Sequence, residues 1–310
     1  MTEIALKTAA VTSLLKYYPL PEALAVIAEA GYDGVELWGG LPHGYVDDFY
    51  GDGYLDEGVV AACRRLIANS GLTPVAFLPE QCFYPVNYLI DTAPPFDGER
   101  LRARSIAYFE RSIEVAAALE FPLMVLTTPF WGWRPAGDRL VFGADKVLDR
   151  VIDTVGQLTR CAERHGLVLV LEPLTDLETT SVETLDDLVA VLDGVGSPAL
   201  AAMLDVGHVN VTARRLGIDA AGYFLDHVEK LGDRLRHVHV NDNAGDSDAH
   251  LLPGEGTFDF AAACRALKTA GYSGYLSAEI MMFGPNPVPP NPAGVLARTL
   301  EHVRRTWHGR

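Results

Sequence analysis

The stretch Gly166-Leu-Val-Leu-Val-Leu-Glu172-Pro-Leu-Thr-Asp-Leu-Glu178 is an unbroken apolar run that stops on a carboxylate, a proline and a second carboxylate. It is too short for a helix and apolar on both faces, the pattern of a parallel strand covered on both sides. Three later stretches repeat the design: Ala202-Met-Leu-Asp205-Val-Gly-His208, His237-Val-His239-Val-Asn-Asp242 and Tyr275-Leu-Ser-Ala-Glu279-Ile. Each is an apolar strand ending on a hard or borderline metal ligand, and α/β folds place their chemistry at the C-terminal ends of strands. Glu172, Asp205, His239 and Glu279 follow one another at 33, 34 and 40 residues, about one strand–helix unit each time.

Outward from these strands the chain keeps alternating. Strands are expected at Ile4 to Val11, Gly34 to Trp38, Thr73 to Leu78 and Leu123 to Thr127, ahead of the four ligand-bearing ones. Helical spacing marks residues Pro21 to Ala30, Asp56 to Asn69, Glu99 to Leu119, Asp145 to His165, Val182 to Leu192, Ala220 to Leu231, Phe258 to Ala270 and Ala293 to Trp307. Eight strands alternating with eight helices predict a closed (β/α)8 TIM barrel, since closure leaves no unpaired edge. A doubly wound sheet would need a Gly-x-Gly-x-x-Gly turn after the first strand, and Val11-Thr-Ser-Leu-Leu-Lys has no glycine. The proline-rich segment from Gly284 sits inside a strand–helix unit and is no linker, so one domain over residues 1–310 is expected.

The 310 residues are 49% apolar, enough for a sizeable core, and contain no run long enough to span a membrane. The N-terminus lacks a basic-then-apolar leader, and Cys63, Cys82, Cys161 and Cys264 show no paired spacing, so the chain reads as cytoplasmic. A net charge of −16 repels phosphate backbones and anionic bilayers, which argues against nucleic-acid and membrane partners.

Four ligand-type residues on four consecutive strands demand pairing or a cation, where a single strand-end acid would be a solvated cap. Three carboxylates with one imidazole suit Mn²⁺ first, with Co²⁺ or Mg²⁺ as alternatives, over a structural zinc. His237 and His239 share one face of their strand; the one nearer the mouth, His239, is the expected ligand and His237 a packed or supporting group. His208, three residues past Asp205 and read as already in the loop, faces the pocket without ligating. Glu178 is either a surface acid or a hydroxyl-binding group, and the aromatic loop from Glu80 to Tyr88 reads as a lid or pocket wall.

Taken together, Leu-Glu172-Pro-Leu-Thr-x-x-Glu178, Leu-Asp205-x-x-His208, His-x-His239 and Ala-Glu279 resemble the xylose-isomerase-like barrel superfamily. Within it the ketose 3-epimerases, among them the D-tagatose, D-psicose and fructoselysine 3-epimerases, are the nearest group. The fructoselysine type is echoed in Gly31-Tyr-Asp-Gly-Val-Glu36-Leu-Trp-Gly-Gly-Leu-Pro-His43, Pro79-Glu80-x-x-x-Tyr-Pro-x-Asn87, Leu231-Gly-Asp-Arg-Leu-Arg-His237 and Ser247-Asp-x-His250-x-x-Pro-Gly-Glu-Gly256. The resemblance implies a metal held by Glu172, Asp205, His239 and Glu279, with Glu172 and Glu279 exchanging the C3 proton of an unphosphorylated ketose or fructosamine from opposite faces. It further implies that Glu178, His208 and a basic residue grip the carbonyl end of the sugar. The epimerases commonly carry Arg at that last place, and this chain has His250. Glu80, Trp38 and Trp131 join the expected substrate contacts, the two tryptophans and Phe283 being equally compatible with packing.

Resemblance also implies a homo-oligomer, dimer or tetramer. The alternative activity is a lyase on the same barrel, a C-glycoside deglycosidase (with an accessory subunit) or an inosose-type dehydratase. Endonuclease IV shares the barrel, but its three-zinc ligand set and basic groove are missing from this sequence.

Overall fold

The computed structural model describes residues 4–81, 89, 95, 97–129, 144–179, 181–281 and 291–309. Its centre is a closed barrel of eight parallel strands, β1 (Thr8–Val11), β2 (Gly34–Gly39), β5 (Thr73–Pro79), β6 (Leu123–Thr127), β7 (Val168–Glu172), β8 (Leu200–Asp205), β9 (Leu235–Val240) and β10 (Tyr275–Ala278). Barrel neighbours follow chain order, and β10 closes back onto β1. A small antiparallel pair, β3 (Tyr50–Gly51) and β4 (Tyr54–Leu55), lies outside it and has no counterpart in the sequence reading.

Nine α-helices are present among the described residues: α1 (Leu20–Ala30), α2 (Glu57–Ser70), α3 (Gly98–Ala118), α4 (Ala144–His165), α5 (Leu185–Val195), α6 (Val206–Leu216), α7 (Ala220–Leu231), α8 (Phe260–Thr269) and α9 (Pro292–Trp307). The extra one, α6, corrects the sequence reading, which left residues 206–219 as a connection. It starts where the Asp205 side chain caps it and stops at Gly217, whose φ of 69° supplies the left-handed turn. The expected β1 is shorter at its start. The helix expected from Val182 begins at Leu185, because Thr184 and Asp187 form a reciprocal capping box.

Side chains alternate across each strand with period two, and this decides what meets in the middle. Leu169 and Leu171, Ala202 and Leu204, Val238 and Val240, and Leu276 and Ala278 belong to the large apolar layer between strands and helices. The opposite parity fills the barrel: Val125, Val170, Ala201 and Met203 form a smaller apolar cluster. Higher on the same inward faces come Glu172, Asp205, His237, His239 and Ser277. The apolar strands thus lock the register, and the register delivers the polar residues to one end. Cys63, Cys161 and Cys264 are buried free thiols on helices, as expected; Cys82 lies outside the described residues.

The loop after β9 is rigidly tied. Asp242 Oδ2 accepts the N–H of Gly254 and of Gly256, and Oδ1 that of Asn243 and of Phe258, all at 2.9–3.2 Å. A backbone pair between Asp242 and Leu251 closes the loop. Replacing Asp242 by Ala strands four donors, those of Asn243 and Phe258 buried, and is expected to cost about 3 kcal/mol, read as a lower urea midpoint at unchanged m-value.

Candidate active site

Glu172, Asp205, His239 and Glu279 converge, all buried, each with a ligand atom within 4.8 Å of the others. Glu172 and Asp205 are the last residues of β7 and β8, and Asp205 is paired in register with His239 on β9. Glu279 follows β10 by one residue, its N–H still bonded to the Val240 carbonyl at 3.2 Å. Asp205 divides its carboxylate. Oδ1 accepts the N–H groups of Gly207 and His208 at the start of α6, and Oδ2 accepts Asn241 Nδ2 at 2.6 Å. Gly207 permits this crowding: a Cβ there would lie 2.1 Å from Asn241 Oδ1.

Beneath the four lies a residue the sequence reading quoted only as part of a resemblance. Glu36, fully buried on β2, accepts hydrogen bonds from His237 Nε2 at 2.7 Å, His239 Nε2 at 2.9 Å and Ser277 Oγ at 2.7 Å. Burial pushes its pKa up, but the two imidazoles prevail and hold it well below the usual carboxylate range. With Nε2–H donated to Glu36, His239 turns Nδ1 toward the three acids, the carboxylate–histidine arrangement that supports metal ligands. A charge in the middle of the apolar strand Gly34-Val-Glu36-Leu was the available signal, since such a charge needs a buried partner.

The residues fit a divalent cation. His239 Nδ1 and Glu172 Oε1 are buried yet make no hydrogen bond. Around Nδ1 stand Glu279 Oε2 at 2.9 Å, Glu172 Oε1 at 3.6 Å and Asp205 Oδ2 at 3.8 Å. Without an ion this negative charge recruits protons. Burial raises the Glu172 pKa to about 7. Burial disfavours the charged His239, but Glu36 and Glu279 raise it well above the usual imidazole value. Glu279 moves the other way: burial opposes its ionisation, and the charges of His239 and His250 outweigh burial. Oxygen-rich with one nitrogen, the donor set matches hard and borderline ions.

Next to the cluster are the residues expected to grip substrate. His208 sits on α6, correcting its placement in a loop. Its Nδ1 is 3.1 Å from the Pro173 carbonyl, and Nε2 faces Asp248 Oδ1 at 3.6 Å and Glu178 Oε2 at 3.7 Å. Glu178 is steadied by the N–H and hydroxyl of Thr175. His250 differs from expectation: Nδ1 reaches the Glu279 carbonyl at 3.0 Å and Nε2 reaches Asp248 Oδ2 at 2.6 Å, so both nitrogens are engaged by protein. Burial opposes its charge, yet Asp248 pushes its pKa up to about 10. Glu80 is buried just past β5, its carbonyl accepting the Tyr108 hydroxyl. Trp38, half-buried at the end of β2, packs edge-on to His43. Trp131, Phe283 and residues 82–88 of the aromatic loop lie outside the described residues.

Glu36→Gln keeps all four ligands and removes the charge behind His239, so Mn²⁺ affinity by calorimetric titration is expected to fall about 10- to 100-fold. An arriving ion must also displace the proton that the acids hold on His239. Mn²⁺ affinity is therefore expected to decline as pH is lowered, with a binding heat that varies with the ionisation enthalpy of the buffer.

Fructoselysine 3-epimerase of Shigella flexneri is 28% identical over 276 residues, 89% of this chain and 90% of that protein. An inosose dehydratase of Bacillus licheniformis is 30% identical over 153 residues, 44% of this chain and 47% of its own. The crystal structure of a 3-keto-D-glucoside 4-epimerase from Escherichia coli superposes with a TM-score of 0.75 at 21% identity, covering 97% of this chain and 99% of that one. By its likeness to the 3-epimerase over nearly the whole of both chains, this protein is an enzyme of the isomerase type. The model of the xylose-isomerase-like TIM barrel matches residues 24–306, from within α1 to the end of α9, and the chain belongs to that family.

Proposed function

We propose that this chain is a divalent-metal-dependent epimerase that removes and returns the C3 proton of an unphosphorylated ketose or fructosamine, through an enediolate, on one barrel domain. The observation that carries the reading is the pairing of Glu172 with Glu279. They come from β7 and β10, with β8 and β9 between them, and both face His239 Nδ1. Inversion at a carbon requires one group to take the proton and another to return it from the far side. In the ion-free site burial moves the Glu172 pKa up, while His239 and His250 outweigh burial and move that of Glu279 down.

A divalent ion held by Glu172, Asp205, His239 and Glu279, Mn²⁺ in preference to Co²⁺ or Mg²⁺, would supply a Lewis acid that polarises the carbonyl. Asp205 contributes charge while anchored by α6 and Asn241, so it stays fixed as the two glutamates exchange protons. Substrate is a small sugar; assembly into a dimer or tetramer rests on resemblance alone. The partial match to an inosose dehydratase supports one rival, a lyase that uses the same acidified proton but expels a neighbouring oxygen.

Proton NMR in deuterium oxide, with Mn²⁺-loaded protein and a panel of ketoses, fructosamines and 3-oxo-glycosides, separates the two. Deuterium entering C3 together with a new epimer signal is the expected result. Loss of water or of an aglycone without ketose exchange would move the chain to the lyase branch. Glu172→Gln and Glu279→Gln are each expected to slow exchange by about 10²- to 10⁴-fold. Undiminished exchange in either variant would remove the two-carboxylate mechanism.

A further inference from the structure

The two oxygens of an ionised carboxylate offer about four acceptor positions, and on Asp205 three are taken. Oδ1 accepts the N–H groups of Gly207 at 2.6 Å and of His208 at 3.1 Å, which fills it. Oδ2 accepts Asn241 Nδ2 at 2.6 Å, and among the described residues no other group hydrogen-bonds that oxygen. One position remains, on the oxygen that stands 3.8 Å from His239 Nδ1.

Asn241 follows β9 directly and lies two residues past His239, so it keeps that residue's face. Charge settles the orientation of its amide. The carbonyl end set against the Asp205 carboxylate would oppose two acceptors, so the NH₂ end faces Oδ2. The carbonyl oxygen then leans on Gly207, buried and without a hydrogen bond. A Cβ at Gly207 would meet this oxygen first, at 2.1 Å, ahead of Asn243 Nδ2 at 2.9 Å and Asp205 Oδ1 at 3.0 Å.

An amide that only tied β9 to α6 would satisfy both its halves, and an apolar residue of the same shape would leave no buried acceptor bare. Asn241 leaves its oxygen bare and keeps the short bond to Asp205. The α6 donors hold Oδ1 alone, and about that fixed oxygen the carboxylate is free to turn. Asn241 is the group that stops the turn.

We propose that Asn241 is a positioning residue for Asp205: it holds the carboxylate so that one oxygen, Oδ2, is presented to the cation cluster, and Gly207 supplies the space that admits it. This rests on the metal part of the proposed function and is independent of which sugar reaction follows. Asn241 itself touches neither ion nor substrate.

The test measures Mn²⁺ binding by calorimetry in the unaltered chain, in Asn241→Ala, in Gly207→Ala and in the double variant. Asn241→Ala is expected to weaken Mn²⁺ binding about 10- to 100-fold, the range for groups that orient a ligand, and to alter the EPR spectrum of the bound ion. Gly207→Ala changes no hydrogen-bonding side chain and places a better helix former in α6, yet it is expected to weaken binding to a similar degree by displacing the amide. In the double variant the two losses should not add, because both act through one hydrogen bond. A folded Asn241→Ala with unchanged affinity and spectrum overturns the proposal. Should that variant not fold, Gly207→Ala binding Mn²⁺ as tightly as the unaltered chain overturns it instead. Fully additive losses overturn it as well, since Gly207 would then act on Asp205 without Asn241. Each of these outcomes leaves the metal site standing, whereas an unaltered chain that binds no Mn²⁺ refutes the metal reading and this proposal with it.

Discussion

Everything at the mouth of this barrel follows from the burial of negative charge. Glu36, Glu172, Asp205 and Glu279 are all nearly inaccessible, and three of them face a single imidazole nitrogen. Two unit charges 4 Å apart interact by about 4 kcal/mol at the effective dielectric of a protein, so the acids cannot all stay ionised without compensation. The protein compensates each differently. Glu36 receives three hydrogen bonds, Asp205 receives two backbone N–H groups and an amide, and Glu279 has His239. Glu172 keeps an oxygen without a hydrogen bond and is the acid whose pKa rises. The uncompensated remainder is what a cation would neutralise.

Two histidines of similar burial are given opposite tasks by their partners. His239 commits Nε2 to Glu36 and leaves Nδ1 unbonded toward the acids. His250 commits both nitrogens, to a carbonyl and to Asp248, and becomes a fixed cation in the frame of the site. Residue type alone makes both candidates for ligand or substrate binding. The second nitrogen's partner decides the role: for His239 it is Glu36, 203 residues away in the chain, and for His250 it is Asp248, on the same loop.

This explains which parts were legible in the sequence. The barrel was, because strand parity and the strand–helix period are local patterns, and the four cluster residues were, because each ends such a strand. Helix α6 was not: Asp205 ends a strand and carries a ligand-type side chain, which masks its simultaneous use as a helix cap, although Gly217 marks the far end. Glu36 escaped because its three partners come from β9 and β10, about 200 residues later. The contacts of Asp248 with His208 and His250 were not legible, because no periodicity governs loops.

The double duty of Asp205 ties chemistry to folding. The same side chain that faces His239 Nδ1 holds the first turn of α6, which carries His208 to Glu178 and Asp248. On the other flank His250 binds the backbone of Glu279 and the carboxylate of Asp248. The four-ligand cluster and the groups around Asp248 are therefore joined by two short bridges, the three-residue step from Asp205 to His208 and the hydrogen bond from His250 to the Glu279 carbonyl. A shift of either glutamate or of the helix start moves both sets together. A barrel that placed its acids on independent flexible loops would have to order them anew for each substrate, at an entropic cost of about 1–2 kcal/mol per residue. Here that ordering is already made by the strands and by one helix cap.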